Sequence, residues 1–270
     1  AELSDIITMV SLRLEHSDEK MRQAAVHLLM RVAEKGDERV IFEVSQRLEH
    51  RHQDVRSAAV EALAMVAEKG DERVIAAVSR RLEHRDEDVR QSAMDALTKL
   101  AKGGDERALA AVVRRLEHRD GSVRSAALET LARLSDAGSE RILVAVSQRL
   151  EDKDRDVRQK AIEILSWITE RGDKRAITAV TRRLEHVDRD VRHAAIQALT
   201  CVAEIGDERV IAAACLLFEH EDRDVRYAGV LALAQITHKG DAFAMAAVIQ
   251  RWEHSDGGTR HAAVQALSQI

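Results

Sequence analysis

The sequence predicts an all-α solenoid, a stack of about eight helical hairpins of 34 residues each, on three observations. Arginine recurs at Arg22, Arg56, Arg90, Arg124, Arg158, Arg192, Arg226 and Arg260, one every 34 residues without a slip. Apolar residues at helical spacing form two stripes within every period. Proline is absent from all 270 residues, as suits helices joined by short turns. Fixed-period self-similarity means one supersecondary unit copied and stacked, with a core running between neighbours.

The third copy shows the unit. Gly70 supplies the left-handed residue that ends the preceding helix. Asp71 caps helix A, and Glu72 suits its positive end. Val74, Ile75, Val78 and Leu82 form its apolar stripe, and His84 closes it, an imidazole at the negative end of the dipole. Asp86 then caps helix B, whose buried face is Val89, Ala93, Ala96, Leu97 and Leu100. The repeats run near 1–35, 36–69, 70–103, 104–137, 138–171, 172–205, 206–239 and 240–270, as a single array. Neither end carries the polar cap a solenoid usually needs, so a fragment of a longer array, or mature ends trimmed to an ordered core, is expected.

Composition narrows the class. Aromatics make up 2% of the chain and charged residues 33%, so Ala, Val and Leu must fill the core. The net charge of −5 weighs against nucleic acid as a partner, because that affinity rests on neutralising phosphates. No apolar run approaches the roughly 18 residues of a membrane span, and no signal peptide opens the chain. Cys201 and Cys215 replace residues that are not cysteine in the other copies, so no disulfide framework is expected. An intracellular, cytoplasmic setting follows.

The framework x-Asp-x-Asp-Val-Arg-x-x-Ala-x-x-Ala-Leu, followed by Gly-Asp-Glu-Arg-Val/Ala-Ile, resembles HEAT repeats. It is most similar to the short HEAT-like type of the phycobilin lyases, over the whole chain. The present repeat is a few residues longer, and Glu, Arg or Gly replace the usual turn prolines. The resemblance implies a right-handed superhelix with helix A convex and helix B lining a concave groove. It also implies a ladder between successive repeats, made by the turn Asp and the helix-B Arg, as with Asp188 and Arg192 or Asp222 and Arg226. One arginine of each pair such as Arg80-Arg81, Arg114-Arg115 and Arg182-Arg183 should lie along the neighbouring helix A or its Glu.

Positions that vary among the copies are free of the demands of stacking. The columns one, five and nine residues after the repeat Arg form a single stripe on helix B. In the first four copies the stripe is charged, with Asp95 and Lys99, and Glu129 and Arg133, spaced as i,i+4 pairs. From the fifth copy it gains large side chains: Trp167, His193, Gln197, Cys201, Tyr227, Leu231 and Gln235. An exposed Trp and Tyr in so aromatic-poor a chain mark this patch as the candidate partner-binding surface. Phe218 and Trp252 stand at the helix-A position of Leu and are expected in the core.

Catalysis is not expected. The recurring Glu-His pairs, such as Glu83-His84, invite comparison with di-iron HEAT-type enzymes, but those use the order His-Glu. Equivalent atoms in adjacent copies are also about 10 Å apart, too far to share a metal. His50 and His52 lack carboxylate or thiolate companions. His193 and Cys201 lie about 12 Å apart along one helix and form no dyad. The chain has no phosphate loop, nucleophile elbow or zinc-finger spacing.

The expected function is that of a non-catalytic scaffold for a protein or peptide partner, with no metal or cofactor. A bilin lyase or lyase-like chaperone subunit is the alternative, and an engineered repeat binder a third. Framework drift at Ser139, Asp152 and Gly229 favours natural origin over the last.

Overall fold

A computed structural model describes residues 2–68, 70–101, 105–134 and 139–270, with the side chains of residues 2 and 3 left aside. The repeat boundaries expected at 69, 103–104 and 137–138 lie outside the described residues. All described regular structure is helical. The chain has two compact units, residues 1–136 and 137–270.

In the first unit the A helices are α1 (Glu2–Leu12), α3 (Glu38–Gln46), α5 (Glu72–Arg80) and α7 (Glu106–Val113). They alternate with the B helices α2 (Glu19–Val32), α4 (Gln53–Val66), α6 (Glu87–Leu100) and α8 (Gly121–Leu134). The second unit repeats the order with A helices α9 (Glu140–Gln148), α11 (Lys174–Thr181), α13 (Glu208–Leu216) and α15 (Ala242–Trp252). Its B helices are α10 (Arg155–Ile168), α12 (Arg189–Val202), α14 (Arg223–Ile236) and α16 (Gly257–Leu267). Within each unit A packs on A, B on B, and the two layers enclose the core.

Local chemistry sets these boundaries. Asp71 accepts the Arg73 N–H at 2.9 Å and Asp86 the Asp88 N–H at 2.9 Å, each capping its helix as its position predicts. Gly70 has φ +82°, the left-handed turn expected there. The glycine N–H also ties the end of the preceding helix B to the end of the one that follows. That of Gly36 donates to Val66 O at 2.9 Å, and that of Gly172 to Val202 O at 2.8 Å. Each satisfies a carbonyl that the following helix B leaves open at its end. The predicted apolar positions of the third repeat, from Val74 to Leu100, are all buried.

Seven A helices tighten into a 3-10 turn, Arg81–Glu83 in the third repeat, before an extended His or Asp. His84 closes helix A as its C-cap residue. Its Nδ1 also accepts the backbone N–H of Asp86 at 3.1 Å, so the ring shapes the A–B turn. The same bond recurs at His16, His50, His118, His186, His220 and His254. Asp152, which replaces His in the fifth repeat, does it with Oδ1, accepting from Asp154 at 2.9 Å.

The repeat arginines bind two repeats together. Arg56 Nη1 donates to His50 O at 2.8 Å and Arg51 O at 3.2 Å, closing its own turn, and its Nη2 pairs with Asp88 of the next helix B at 3.1 Å. Arg22 reaches Asp54 at 3.4 Å, Arg158 reaches Asp190 at 2.9 Å and Arg192 reaches Asp224 at 3.8 Å. The carboxylate is therefore not the one the resemblance implies. Asp188 and Asp222 are committed to capping, accepting from Asp190 N and Asp224 N. The ladder partner stands two residues later, where the first helical turn projects it back toward the preceding repeat.

A second ladder runs along the A helices. Arg81 Nε faces Glu49 at 3.0 Å, Arg115 faces Glu83 at 3.0 Å and Arg183 faces Glu151 at 2.9 Å, so the second arginine of each pair meets the preceding Glu, as expected. These are ion contacts without the alignment of hydrogen bonds. Burial pulls the Arg115 and Arg183 pKa values down while the facing glutamates pull them up.

Phe218 is buried as expected, and Gly229 explains how. A Cβ on Gly229 would stand 2.6 Å from Ala214 O and 3.2 Å from the Phe218 ring. The glycine replaces the alanine of the other seven copies, so the larger ring and the missing methyl compensate each other. Trp252 is not in the core: it is 53% exposed. Its repeat keeps alanine, Ala263, where Gly229 made room, and its last turn is α-helical instead of 3-10.

Gly229→Ala should lower the melting temperature, because overpacking costs about 1–3 kcal/mol against a helix-propensity gain of about 1 kcal/mol. Adding Phe218→Leu should recover only the part of the loss due to the ring, since the closest approach is to the Ala214 carbonyl, and full additivity in a double-mutant cycle would refute any coupling. At the A–B turn, His84→Ala should cost about 0.5–1.5 kcal/mol in chemical denaturation. His84→Asp, which copies the fifth repeat, should cost less than half as much.

Candidate functional site

The variable stripe comes out on the helix-B face, and its character differs between the two units. In the first, the stripe is laced across repeats. Gln23 donates to Glu61 at 3.0 Å, and Arg133 pairs with Asp95 at 2.8 Å. Asp95 thus pairs across to the next helix, whereas spacing along one helix suggested Lys99.

In the second unit α10, α12, α14 and α16 lie side by side. Trp167 is 59% and Tyr227 46% exposed. His193, Gln197 and Gln235 are also exposed, and Cys201 and Leu231 are half-buried. His193, Tyr227 and Leu231 come together as walls of one hollow of about 360 Å³ between α12, α14 and α16. Trp167, Gln197, Cys201 and Gln235 lie on the same layer but outside its lining.

Sequence reasoning missed what completes this hollow. Arg189, Arg192, Arg223 and Arg226 line it, with Asp224 the one carboxylate in its wall and His261 and Gln265 on its far side. Arg192 is engaged by Asp224, and Arg189 Nε lies 3.5 Å from His193 Nε2. Arg226 spends Nη1 on His220 O and Glu221 O, both at 2.8 Å. Its ladder partner is missing, because residue 258 is glycine where the ladder pattern calls for aspartate. The signal was legible as Gly258 in a column of otherwise polar residues.

Beside the hollow, Asp256 accepts the Thr259 N–H at 2.8 Å and its Oγ1–H at 3.1 Å. Those bonds favour the carboxylate and hold its pKa below the ordinary 3.8, with Gly258 N–H and Arg226 acting in the same sense. A second hollow, of about 330 Å³, lies on the helix-A face of the first unit. Ile41, Phe42, Ala77 and Arg80 are among its walls, with Phe42 63% exposed. Phe42 takes a column filled elsewhere by Ala, Val or Thr, which was its signal in the sequence.

Among the described residues no three His, Cys, Asp or Glu side chains are disposed to hold a metal. The repeat histidines turn Nδ1 to the backbone. Burial pushes the Cys215 thiol up to about 11, and Cys215 and Cys201 are both free. No described helix is long and apolar enough to cross a membrane.

The family model of HEAT repeats matches residues 41–132, 113–200 and 188–268. No curated protein matches the chain significantly. Among solved structures, Kap121p bound to Pho4p is similar at 15% identity and a TM-score of 0.56, over 98% of this chain and 33% of that one. The chain thus spans a third of Kap121p's length. Human deoxyhypusine hydroxylase in complex with glycerol is similar at 17% identity, over 99% of this chain and 96% of that one, with a TM-score of 0.36.

The low Asp256 pKa fixes a sign. A group whose pKa is depressed by folding contributes stability above its unfolded value and loses it as pH falls through the folded one. The melting-temperature deficit of Asp256→Ala should therefore be full above about pH 5 and close as pH drops below about 4. A deficit that persists unchanged into acid would show that the carboxylate charge is not what caps α16.

Proposed function

We propose that this chain, which belongs to the HEAT-repeat family, is a non-catalytic scaffold that binds a protein or peptide along its helix-B face. The observation that carries the proposal is the hollow of the second unit, where an exposed tyrosine and a half-buried leucine stand among arginines. An amphipathic ring over a partly desolvated hollow is the composition of an interaction hot spot, which buries area at the cost of few rotors. Trp167, Gln197, Cys201 and Gln235 extend the surface along the same layer.

The architecture favours this use. Each repeat adds one B helix to the layer, so the stripe can vary from repeat to repeat while the framework columns hold the stack. Kap121p, whose fold is similar, is bound to Pho4p in its structure. The family match is to HEAT repeats in general and lends no particular support to a bilin lyase. Shape and side-chain chemistry, with no bond made or broken, carry the proposed mechanism.

Capture of partners from native lysate by the immobilised chain tests this. Tyr227→Ala and Trp167→Ala should each reduce capture about tenfold or more, as removal of a hot spot worth about 2 kcal/mol does. Their melting temperatures should stay near the parent's, both side chains being exposed. Phe42→Ala, on the other layer, should capture normally. If only Phe42→Ala were impaired, the binding surface would be the helix-A face.

A further inference from the structure

The ladder of the second unit has a vacancy at its last rung. Arg158 and Arg192 each reach an aspartate 32 residues on, Asp190 and Asp224, but Arg226 meets Gly258. Its guanidinium lies over the glycine: a Cβ there would fall 2.8 Å from Cζ and 2.9 Å from Nη2. Among the described residues no acceptor receives a hydrogen bond from Arg226 Nε or Nη2. Asp256 is the nearby acid, and it is occupied in capping α16.

The first unit has a similar gap that stays closed, and the comparison isolates what is special here. Arg90 also lacks its aspartate, since Ser122 stands in that place, but Arg90 is 8% exposed. Arg226 is half-buried and opens on the hollow of about 360 Å³. Four arginines and one aspartate give that hollow a positive balance inside an acidic chain. Its floor offers Tyr227 and Leu231 beside the charge.

We propose that this hollow takes an acidic side chain of a bound polypeptide, whose carboxylate fills the vacant rung at Arg226 while an adjacent apolar side chain packs on Tyr227 and Leu231. The partner completes in trans the contact that the other repeats make within the chain. A planar guanidinium whose Nε and Nη2 bond no acceptor among the described residues suits a carboxylate's paired oxygens. The apolar floor beside it selects a peptide in which acidic and apolar residues alternate. The inference names the partner chemistry of the binding face proposed above and rests on that reading.

The test is fluorescence anisotropy with the full chain and a fluorescein-labelled peptide of alternating glutamate and leucine, against the same peptide with glutamine for glutamate. The parent chain should bind the acidic peptide at least about tenfold more tightly, and added salt should narrow the difference. Gly258→Asp restores the missing rung, so it should raise the melting temperature and weaken the acidic peptide about tenfold. Gly258→Ser copies the fourth repeat and supplies no carboxylate, so it should keep most of the affinity. Equal binding by Gly258→Asp, equal loss in Gly258→Ser, or equal affinity for the glutamine peptide would overturn the proposal. Displacement of the peptide by millimolar inorganic phosphate or by a short oligonucleotide more readily than by free acidic peptide would also overturn it, in favour of a phosphate site. If Tyr227→Ala abolishes lysate capture while Gly258→Asp leaves peptide binding intact, the face binds partners and the carboxylate inference alone fails. If lysate capture ignores the helix-B face altogether while the acidic peptide still depends on residue 258, the broader scaffold reading is the one that fails.

Discussion

A buried guanidinium must find acceptors for its N–H groups or destabilise whatever encloses it. Arg56, 1% exposed, meets that demand by closing its own A–B turn with two carbonyls and then reaching the next helix B through Asp88. Because one side chain makes both connections, turn geometry and repeat spacing cannot vary independently. The glycine N–H bonds, from Gly36 to Val66 O and from Gly172 to Val202 O, add a second such coupling at the opposite end of the hairpin. The apolar stripes then bury themselves between hairpins whose spacing these polar contacts have fixed. The aspartate end of each pair lies open to solvent, so its charge is screened and the carbonyls of the turn are the arginine's buried acceptors.

The same constraint explains which deviations the repeats accept. Asp152 for histidine is tolerated because its oxygen receives the bond that Nδ1 receives elsewhere. Gly229 for alanine is the counterpart of Phe218 for leucine, one volume change offsetting another across a helix contact. Ser139 for aspartate makes no side-chain cap bond. Drift in the sequence is therefore of three kinds: equivalent chemistry, compensated volume and plain loss. Gly258 belongs with the losses for stacking, yet it opens a rung of the ladder next to an apolar floor.

Periodicity made the helices, their caps and their buried faces legible, because each is set by contacts a few residues away or by the same position one period on. Gly70 and Asp71, or Val89 and Leu97, needed nothing beyond the repeat to be placed. Comparing copies also marked the variable stripe, where Tyr227 and Trp167 stand exposed. What failed involved a choice among near neighbours in space. Asp188 and Asp190 look alike two positions apart, and the helical turn decides that the first caps while the second pairs with Arg158. Asp95 could face Lys99 or Arg133, and the lateral packing of α6 on α8 gives it Arg133.

By itself, then, the sequence determined the hairpin, the period and the stacking columns, since these follow from local hydrogen bonding and apolar spacing repeated eight times. Tertiary packing alone decided which of the seven candidate residues share a hollow. It put His193, Tyr227 and Leu231 into it with arginines that the period had marked as structural. It also exposed Trp252 while burying Phe218 in the same column of the repeat. The reason is the same in each case. A column in a repeat states what a position must do for its neighbours, while the space around a side chain depends on substitutions one helix away.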